Sequence, residues 1–300
     1  MKHNIGIDVG GTKIEGIILF NDVIVYKKRI KTQANLGYNK VLSNISKMYF
    51  MLIEYIEASD HTLGIGTPGS LMKDTGALKN CNVSVMNNKK IKMDIESTLN
   101  REVVIENDAN CFVLAEAIHS EQWKTTTIFG AVLGTGCGAG IVVNGKLIEG
   151  RNQLSGEWGH MSIHQNGLKC YCGRNGCAER YISGRGVEDI YESMTGKRIS
   201  MEMIIEGYRQ GKEYEKQVVE DFLDDVSFSL ANIISIIDPH LIIVGGGLSS
   251  IDIVLQQLPE RVSLMINRPQ NMFNIQTALL GDSAGSIGAA IRGATTEIEE

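Results

Sequence analysis

The chain has no long apolar run, no surplus of basic residues and no low-complexity linker, and each absence removes a class of protein. Nowhere among its 300 residues is there the stretch of ~20 apolar residues that spans a membrane. Its 29 Lys and Arg are outnumbered by 35 Asp and Glu, for a formal net charge of −6. That balance disfavours a nucleic-acid surface, which needs clustered cations. The lysine-rich patch Asn88–Lys92 is short and reads as a solvated loop. No signal peptide is read at the start, because Asp8 interrupts the only early apolar run. Cys81, Cys111 and Cys137 are scattered singletons, expected to be reduced and buried rather than paired. These features predict a cytoplasmic chain with neither a nucleic-acid nor a membrane partner. Its length predicts two domains, and the missing linker predicts that they meet at a cleft.

What the chain does have is a cysteine knuckle. In Cys170-Tyr171-Cys172-Gly173-Arg174-Asn175-Gly176-Cys177 three thiols fall within eight positions, and His160 lies ten residues upstream. Three thiolates and an imidazole converging on one point suit tetrahedral Zn²⁺. The alternative is three buried thiols close by chance, but Gly173 and Gly176 favour a tight knuckle and would weaken a strand or helix. With four protein ligands such a zinc has no open position, so it organises rather than catalyses. His164 competes with His160 as the fourth ligand.

A strand grammar is repeated after about 125 residues. Asn4–Asp8 reads as a strand ending in Val9-Gly10-Gly11-Thr12, followed by strands Ile14–Phe20 and Val23–Ile30 about an Asn21-Asp22 turn. Thr127–Leu133, Gly134-Thr135-Gly136-Cys137-Gly138 and Ala139–Val143 repeat it, with Asn144-Gly145 as a strong hairpin signal. Helices separate the two sets. One is predicted from Asp108 through His119. Another lies between Lys212 and Ile237, where Phe222, Val226, Leu230 and Ile234 recur on one face until Asp238-Pro239. The strand Leu241–Val244 leads into Gly245-Gly246-Gly247, and Gly281–Gly285 precedes a small-residue helix around Gly288–Arg292.

Several glycine turns thus follow strands, where backbone N–H groups can approach phosphate oxygens. A dinucleotide fold does not fit, because Gly134-Thr135-Gly136 leads to Ile141, Val142, Val143 and a hairpin instead of a helix. A P-loop does not fit either, since no turn ends in Gly-Lys-Ser/Thr. Two hairpins that each offer a glycine turn to one polyphosphate remain.

Six ordered motifs then carry a family resemblance across nearly the whole chain. They are Asp8-Val9-Gly10-Gly11-Thr12-Lys13, Asn107-Asp108-Ala109-Asn110, Gly134-Thr135-Gly136, Gly156-Glu157-Trp158-Gly159-His160, the knuckle continuing to Glu179, and Gly245-Gly246-Gly247. The chain resembles the ROK group (repressors, open reading frames and sugar kinases). The resemblance implies an α/β, two-domain actin-like ATPase (ribonuclease H-like) fold with a duplicated mixed sheet and helices on both faces. It leans toward the bacterial fructokinase (manno-fructokinase) branch through Thr67-Pro68-Gly69-Ser70, Lys79-Asn80-Cys81-Asn82, Gly136-Cys137-Gly138-Ala139-Gly140 and Glu157-Trp158. N-acetylglucosamine kinases are similar. Residues 1–118 with 286–300 would form a small domain, and 119–285 a large one.

Phosphoryl transfer needs positioning, charge neutralisation and a base for the incoming hydroxyl. The resemblance makes Asp108 the base, although an Asp opening a helix could equally be its N-cap. It puts Asn107, Glu157, His160 and Glu179 on a hexose, and Gly69, Ser70, Asn80 and Asn82 on the opposite wall. It also favours His160 over His164 as the zinc ligand, beside Cys170, Cys172 and Cys177. ATP with Mg²⁺ would lie on Asp8, Gly10, Gly11, Thr12, Lys13, Gly134, Thr135 and Gly136, with Gly246 and Gly247 toward the adenosine. Lys13 could instead be a solvated strand residue. The implied activity is ATP-dependent phosphorylation of a hexose to its 6-phosphate, with fructose first, mannose and glucose beside it, and N-acetylglucosamine or N-acetylmannosamine as the alternative, in a homodimer.

Two other classes compete. A sugar-sensing repressor of the same group would carry a DNA-binding segment ahead of the strand at Asn4, where no room is read for one. A non-sugar ATPase would not need the Glu157–His160 segment or the knuckle.

Overall fold

A computed structural model describes residues 2–120 and 123–295. The chain divides into two compact units. The first holds 2–120, 147–155 and 282–295, and the second 123–146 and 156–281. This split differs from the one expected from sequence, which has boundaries at 118 and 286 and places 147–155 in the second domain.

Unit 1 opens with β1 (His3–Val9), β2 (Lys13–Phe20) and β3 (Val23–Lys31), followed by α1 (Tyr38–Tyr55), β4 (His61–Thr67), β5 (Ser70–Leu71), β6 (Leu78–Lys79), α2 (Ile91–Leu99), β7 (Val104–Asn107) and α3 (Asp108–Ile118). Its main sheet has the order β3-β2-β1-β4-β7. β1 and β2 pair antiparallel, while β1, β4 and β7 run parallel. Unit 2 contains β8 (Thr127–Leu133), β9 (Cys137–Val143), the first residue of β10 (Lys146–Leu147), α4 (Glu179–Ile182), α5 (Gly184–Thr195), α6 (Met201–Arg209), α7 (Glu213–Ile237), β11 (Leu241–Gly245), α8 (Asp252–Ile266) and β12 (Ile275–Thr277). Its sheet has the order β10-β9-β8-β11-β12, with β8 antiparallel to β9 and parallel to β11. The repeated grammar therefore folds into two sheets of one topology. Both hairpins turn on residues of positive φ, Asn21 and Asp22 in the first and Asn144 and Gly145 in the second, as the right-handed strand twist requires.

Each unit has its own core. Ile5, Ile7, Ile65, Met48 and Leu52 fill the first, and Phe129, Trp158, Phe222, Val226 and Leu230 the second. The long helix expected between Lys212 and Ile237 is α7, and Asp238 ends it in the left-handed region at φ 41°. Cys81 and Cys111 are buried as expected, but Cys137, at the exposed end of β9, is only half-buried. Among the described residues no helix is long and apolar enough to cross a membrane.

The last helix, α9 (Ala284–Thr295), returns to unit 1 and lies on its sheet at backbone contact. A Cβ added to Gly6 on β1 would stand 1.9 Å from the Ser286 carbonyl oxygen, and one on Gly64 of β4 would stand 1.8 Å from that of Ala289. On its other side, a Cβ on Gly288 would meet the Cys111 carbonyl of α3 at 1.8 Å. No side chain fits at these contacts, so glycine is dictated by space. Gly288→Ala is expected to lower stability by about 1–3 kcal/mol, the usual cost of overpacking. Gly247→Ala, whose added carbon meets nothing within 4 Å, should stay near wild type. Urea denaturation midpoints of the two variants check the contrast.

Candidate active site

Because β1, β4 and β7 are parallel, their carboxyl ends share one edge, where open α/β sheets bind ligands. Asp8 stands at that edge, paired across strands with Glu15 and in register with Gly66. Asp108 follows β7 directly as the first residue of α3. The capping role it could have held belongs to its neighbour. Asn107 Oδ1 accepts from the backbone N–H groups of Ala109 at 2.9 Å and Asn110 at 3.2 Å. The Asp108 carboxylate accepts from Ala109 N at 2.8 Å. Asn107 Nδ2 donates to the Gly69 carbonyl at 3.1 Å, so the residue expected on the sugar also braces the chain here. Gly69, Ser70 and Asn107 line one cavity with Thr67, Asn110 and Glu149, whereas Asn80 and Asn82 do not line it.

Asp8 is crowded. Burial first, then the charges of Asp108 and Glu15, push its carboxyl up to about 7 against the pull of Lys13. The N-terminus of α9 presses on it, since a Cβ on Gly285 would lie 2.9 Å from the Asp8 carboxyl carbon. The Gly10–Lys13 turn closes through Gly10 N to Lys13 O at 2.9 Å, and the Thr32 hydroxyl holds the Gly10 carbonyl at 2.6 Å. Gly11 and Thr12 are exposed on it. Lys13 Nζ pairs with Asp282 at 2.9 Å, a surface ion pair of modest worth.

In unit 2 the second glycine turn sits at the carboxyl end of β8. Gly134 N donates to Gly136 O at 3.0 Å, with Thr135 between them, and the Gly134 carbonyl accepts from Gly184 N at 2.8 Å. Gly246, at φ +84°, follows the parallel strand β11, and the backbone N of Gly247 lies 3.8 Å from where a Gly134 Cβ would be. The structure thus gathers Gly134, Thr135, Gly136, Gly246 and Gly247 at one sheet edge.

The knuckle lies in the same unit. Ligand atoms of His160, Cys170, Cys172 and Cys177 all fall within 4.8 Å of one another. Cys172 and Cys177 sulfurs are 3.5 Å apart, and Cys170 Sγ is 3.7 Å from His160 Nδ1. Edges of a tetrahedron with bonds of about 2.3 Å are of this size, so the donor set fits a zinc-like ion. Gly176 makes the fold-back possible, with φ +71° and room for no Cβ, which would lie 1.8 Å from the His164 carbonyl oxygen. His164 is directed elsewhere, to Asp225 at 2.7 Å. Just past the knuckle Glu179 opens α4, and its Oε2 accepts from Cys137 N at 3.1 Å. Glu157 Oε2 lies 4.0 Å from His160 Nε2. Glu157, His160 and Glu179 are thereby tied to one loop system.

Sequence reasoning passed over two features. Glu106 Oε1 accepts from Asn107 N and Asn110 Nδ2, both at 2.9 Å, while its Oε2 accepts from Arg292 Nε of α9 at 3.1 Å, and Arg292 also pairs with Glu149. This network braces the segment that carries Asp108. Its only local signal was a glutamate directly ahead of Asn107. The second is Tyr171, whose hydroxyl lies 3.3 Å from His160 Nε2.

Comparison with known proteins agrees with this geometry. The ROK family matches residues 4–293. The chain is 38% identical to an N-acetyl-D-glucosamine kinase of Pectobacterium atrosepticum, over 95% of this chain and 97% of that one. It superposes on a ROK hexokinase from Thermus thermophilus with a TM-score of 0.87 at 24% identity, covering 99% and 100% of the two chains. A ROK family glucokinase from Streptomyces griseus, solved with glucose and AMPPNP, gives 0.79 at 26% identity and covers 98% and 99%. Fold, site and likeness define an ATP-dependent sugar kinase. The chain belongs to the ROK family.

The leaning toward fructokinases is less well supported than the N-acetylglucosamine alternative, because the Pectobacterium relative and one of Pasteurella multocida, 36% identical over 95% of this chain, are both named N-acetyl-D-glucosamine kinases. The competing sugars differ at single substituents, which the order of a motif does not encode.

The Asp8 carboxyl carries a pH signature. Its native value of about 7 lies above the ordinary 3.8, so the folded state holds this proton more tightly than the unfolded one, and stability falls as pH rises from about 4 through 7. Asp8→Asn removes that loss. Without divalent metal, its melting temperature relative to wild type is expected to rise between pH 4 and pH 8, as read by thermal unfolding at both.

Proposed function

We propose that the chain transfers the γ-phosphoryl group of ATP to the 6-hydroxyl of N-acetyl-D-glucosamine. The acetamido sugar is supported by the names of relatives 36–38% identical over 95% of the chain. The division of labour at α3 carries the catalytic reading. Asn107 takes the cap, so Asp108 can serve as the base that accepts the hydroxyl proton. Glu106, held by Arg292, positions this segment. Glu157, His160 and Glu179 hold sugar hydroxyls, with carboxylates as acceptors and the imidazole as donor or acceptor. Gly69, Ser70 and Asn107, which line one cavity, are further sugar-contact residues of this reading, and Asn80 and Asn82, which do not line it, are included on the family resemblance alone. Gly10, Gly11, Thr12, Gly134, Thr135 and Gly136 offer N–H and hydroxyl groups to phosphate oxygens, while Gly246 and Gly247 leave room for the nucleoside. Lys13 acts through Asp282 or on phosphate. Asp8, Glu15 and Asp108 gather oxygen donors and negative charge, which suits a hard cation. Mg²⁺ there would neutralise charge on the phosphates.

The test is ADP release with a panel of hexoses and N-acetylhexosamines. N-acetyl-D-glucosamine is expected to give the highest kcat/KM, and a panel with no sugar-stimulated release overturns the reading. In the same assay Asp108→Asn should lower kcat by ~10²–10⁴-fold, and near-normal turnover would remove it as the base.

We also assign one structural Zn²⁺ per chain to His160, Cys170, Cys172 and Cys177, on the closeness of their ligand atoms. Elemental analysis should find one zinc, and Cys172→Ser should lose it together with stability and sugar affinity. Zinc-free protein of full activity would refute the assignment.

A further inference from the structure

Tyr171 is a large aromatic residue left 64% exposed beside the metal cluster. Its ring meets His160 edge-on, with centroids 5.3 Å apart and planes at 79°. It follows Cys170, and Gly173 two positions on has nothing within 4 Å of its Cβ direction, so the tip of the knuckle is open. Only the hydroxyl end is drawn inward, to 3.3 Å from His160 Nε2. There it also faces Glu179 and Glu157. Glu179 and Glu157 are the acidic groups nearest its proton. His160 turns Nδ1 toward Cys170. With Nδ1 on a metal, Nε2 carries the proton. The phenol oxygen then accepts from the imidazole, which is the bond a sugar hydroxyl would make with the same residue.

We propose that the Tyr171 hydroxyl is an internal competitor for a sugar-hydroxyl subsite at His160 Nε2, and that the sugar displaces it. The inference rests on the proposed role of Glu157, His160 and Glu179 in holding sugar. Two hydroxyls cannot share the single N–H of His160. The tyrosine is the one that yields, because its exposed ring gives up little buried area when it swings out, and the open tip lets it do so. Tyr171 therefore sets part of the sugar affinity by what must be broken before binding, a cost that falls on KM rather than on kcat.

The test is calorimetric titration of N-acetyl-D-glucosamine into the zinc-loaded full chain, as wild type, Tyr171→Phe and Tyr171→Ala. Phenylalanine keeps the ring against His160 and removes only the hydroxyl. Loss of one competing neutral hydrogen bond is expected to lower Kd by roughly two- to tenfold, with kcat unchanged, KM reduced in parallel and zinc content constant. Alanine, which also removes the ring, should lower Kd at least as much. An unchanged or weaker Kd in both variants overturns the inference alone and makes Tyr171 a bystander or a direct sugar contact. Absence of sugar binding by all three proteins overturns the kinase reading and the inference with it.

Discussion

The backbone-to-backbone seating of α9 is the constraint on which unit 1 depends. Gly6 and Gly64 offer strands with no side chain on the contact face, Gly288 does the same for the helix against Cys111, and carbonyl oxygens fill the space. Nothing larger than hydrogen separates the elements, so the helix cannot slide or roll without collision. Three consequences follow from that one seat. The helix start is pressed onto the Asp8 carboxylate through Gly285. Ser286 reaches the buried Glu15 carboxylate at 2.8 Å. Arg292, two turns on, meets Glu106 and so steadies the segment that carries Asn107 and Asp108.

Electrostatics then gives the seat a use. Asp8, Glu15 and Asp108 crowd like charge at the carboxyl edge of one sheet, which is costly for the protein alone and raises Asp8 to about 7. Polar crowding of this kind at an edge built for ligands is a functional signature. In unit 2 the same edge holds neutral glycine turns, and charge is concentrated instead beside the knuckle, where Glu157 and Glu179 accompany the three thiols and the His160 imidazole. Two sheets of one topology have thus been given different chemistry by their loops.

The fructose reading shows where motif reading stops. Among the residues behind that leaning, Trp158 is a core residue, 2% exposed, and its indole N–H on the Gly138 carbonyl at 2.8 Å supports the loop. Choice among hexoses depends on a few atoms around one ring position, and those arise from the shape of a wall rather than from the order of a motif.

Local rules made much of the chain legible. Hairpin turns at Asn21-Asp22 and Asn144-Gly145, the four-residue periodicity of α7, the repeated strand grammar and the converging cysteines are decided by φ preferences, burial of one helix face and ligand spacing, all of which act over a few residues. The family motifs singled out Asp8, Asp108, Glu157 and Glu179 as candidates. Tertiary structure alone decided the rest. It made Asn107 rather than Asp108 the cap, brought Arg292 from the far end of the chain to Glu106, sent His164 to Asp225 and laid the Tyr171 hydroxyl on His160. Each of these joins groups across turns or long separations, where a hydrogen bond is set by the packing of whole elements and leaves no periodic trace in the residues that make it.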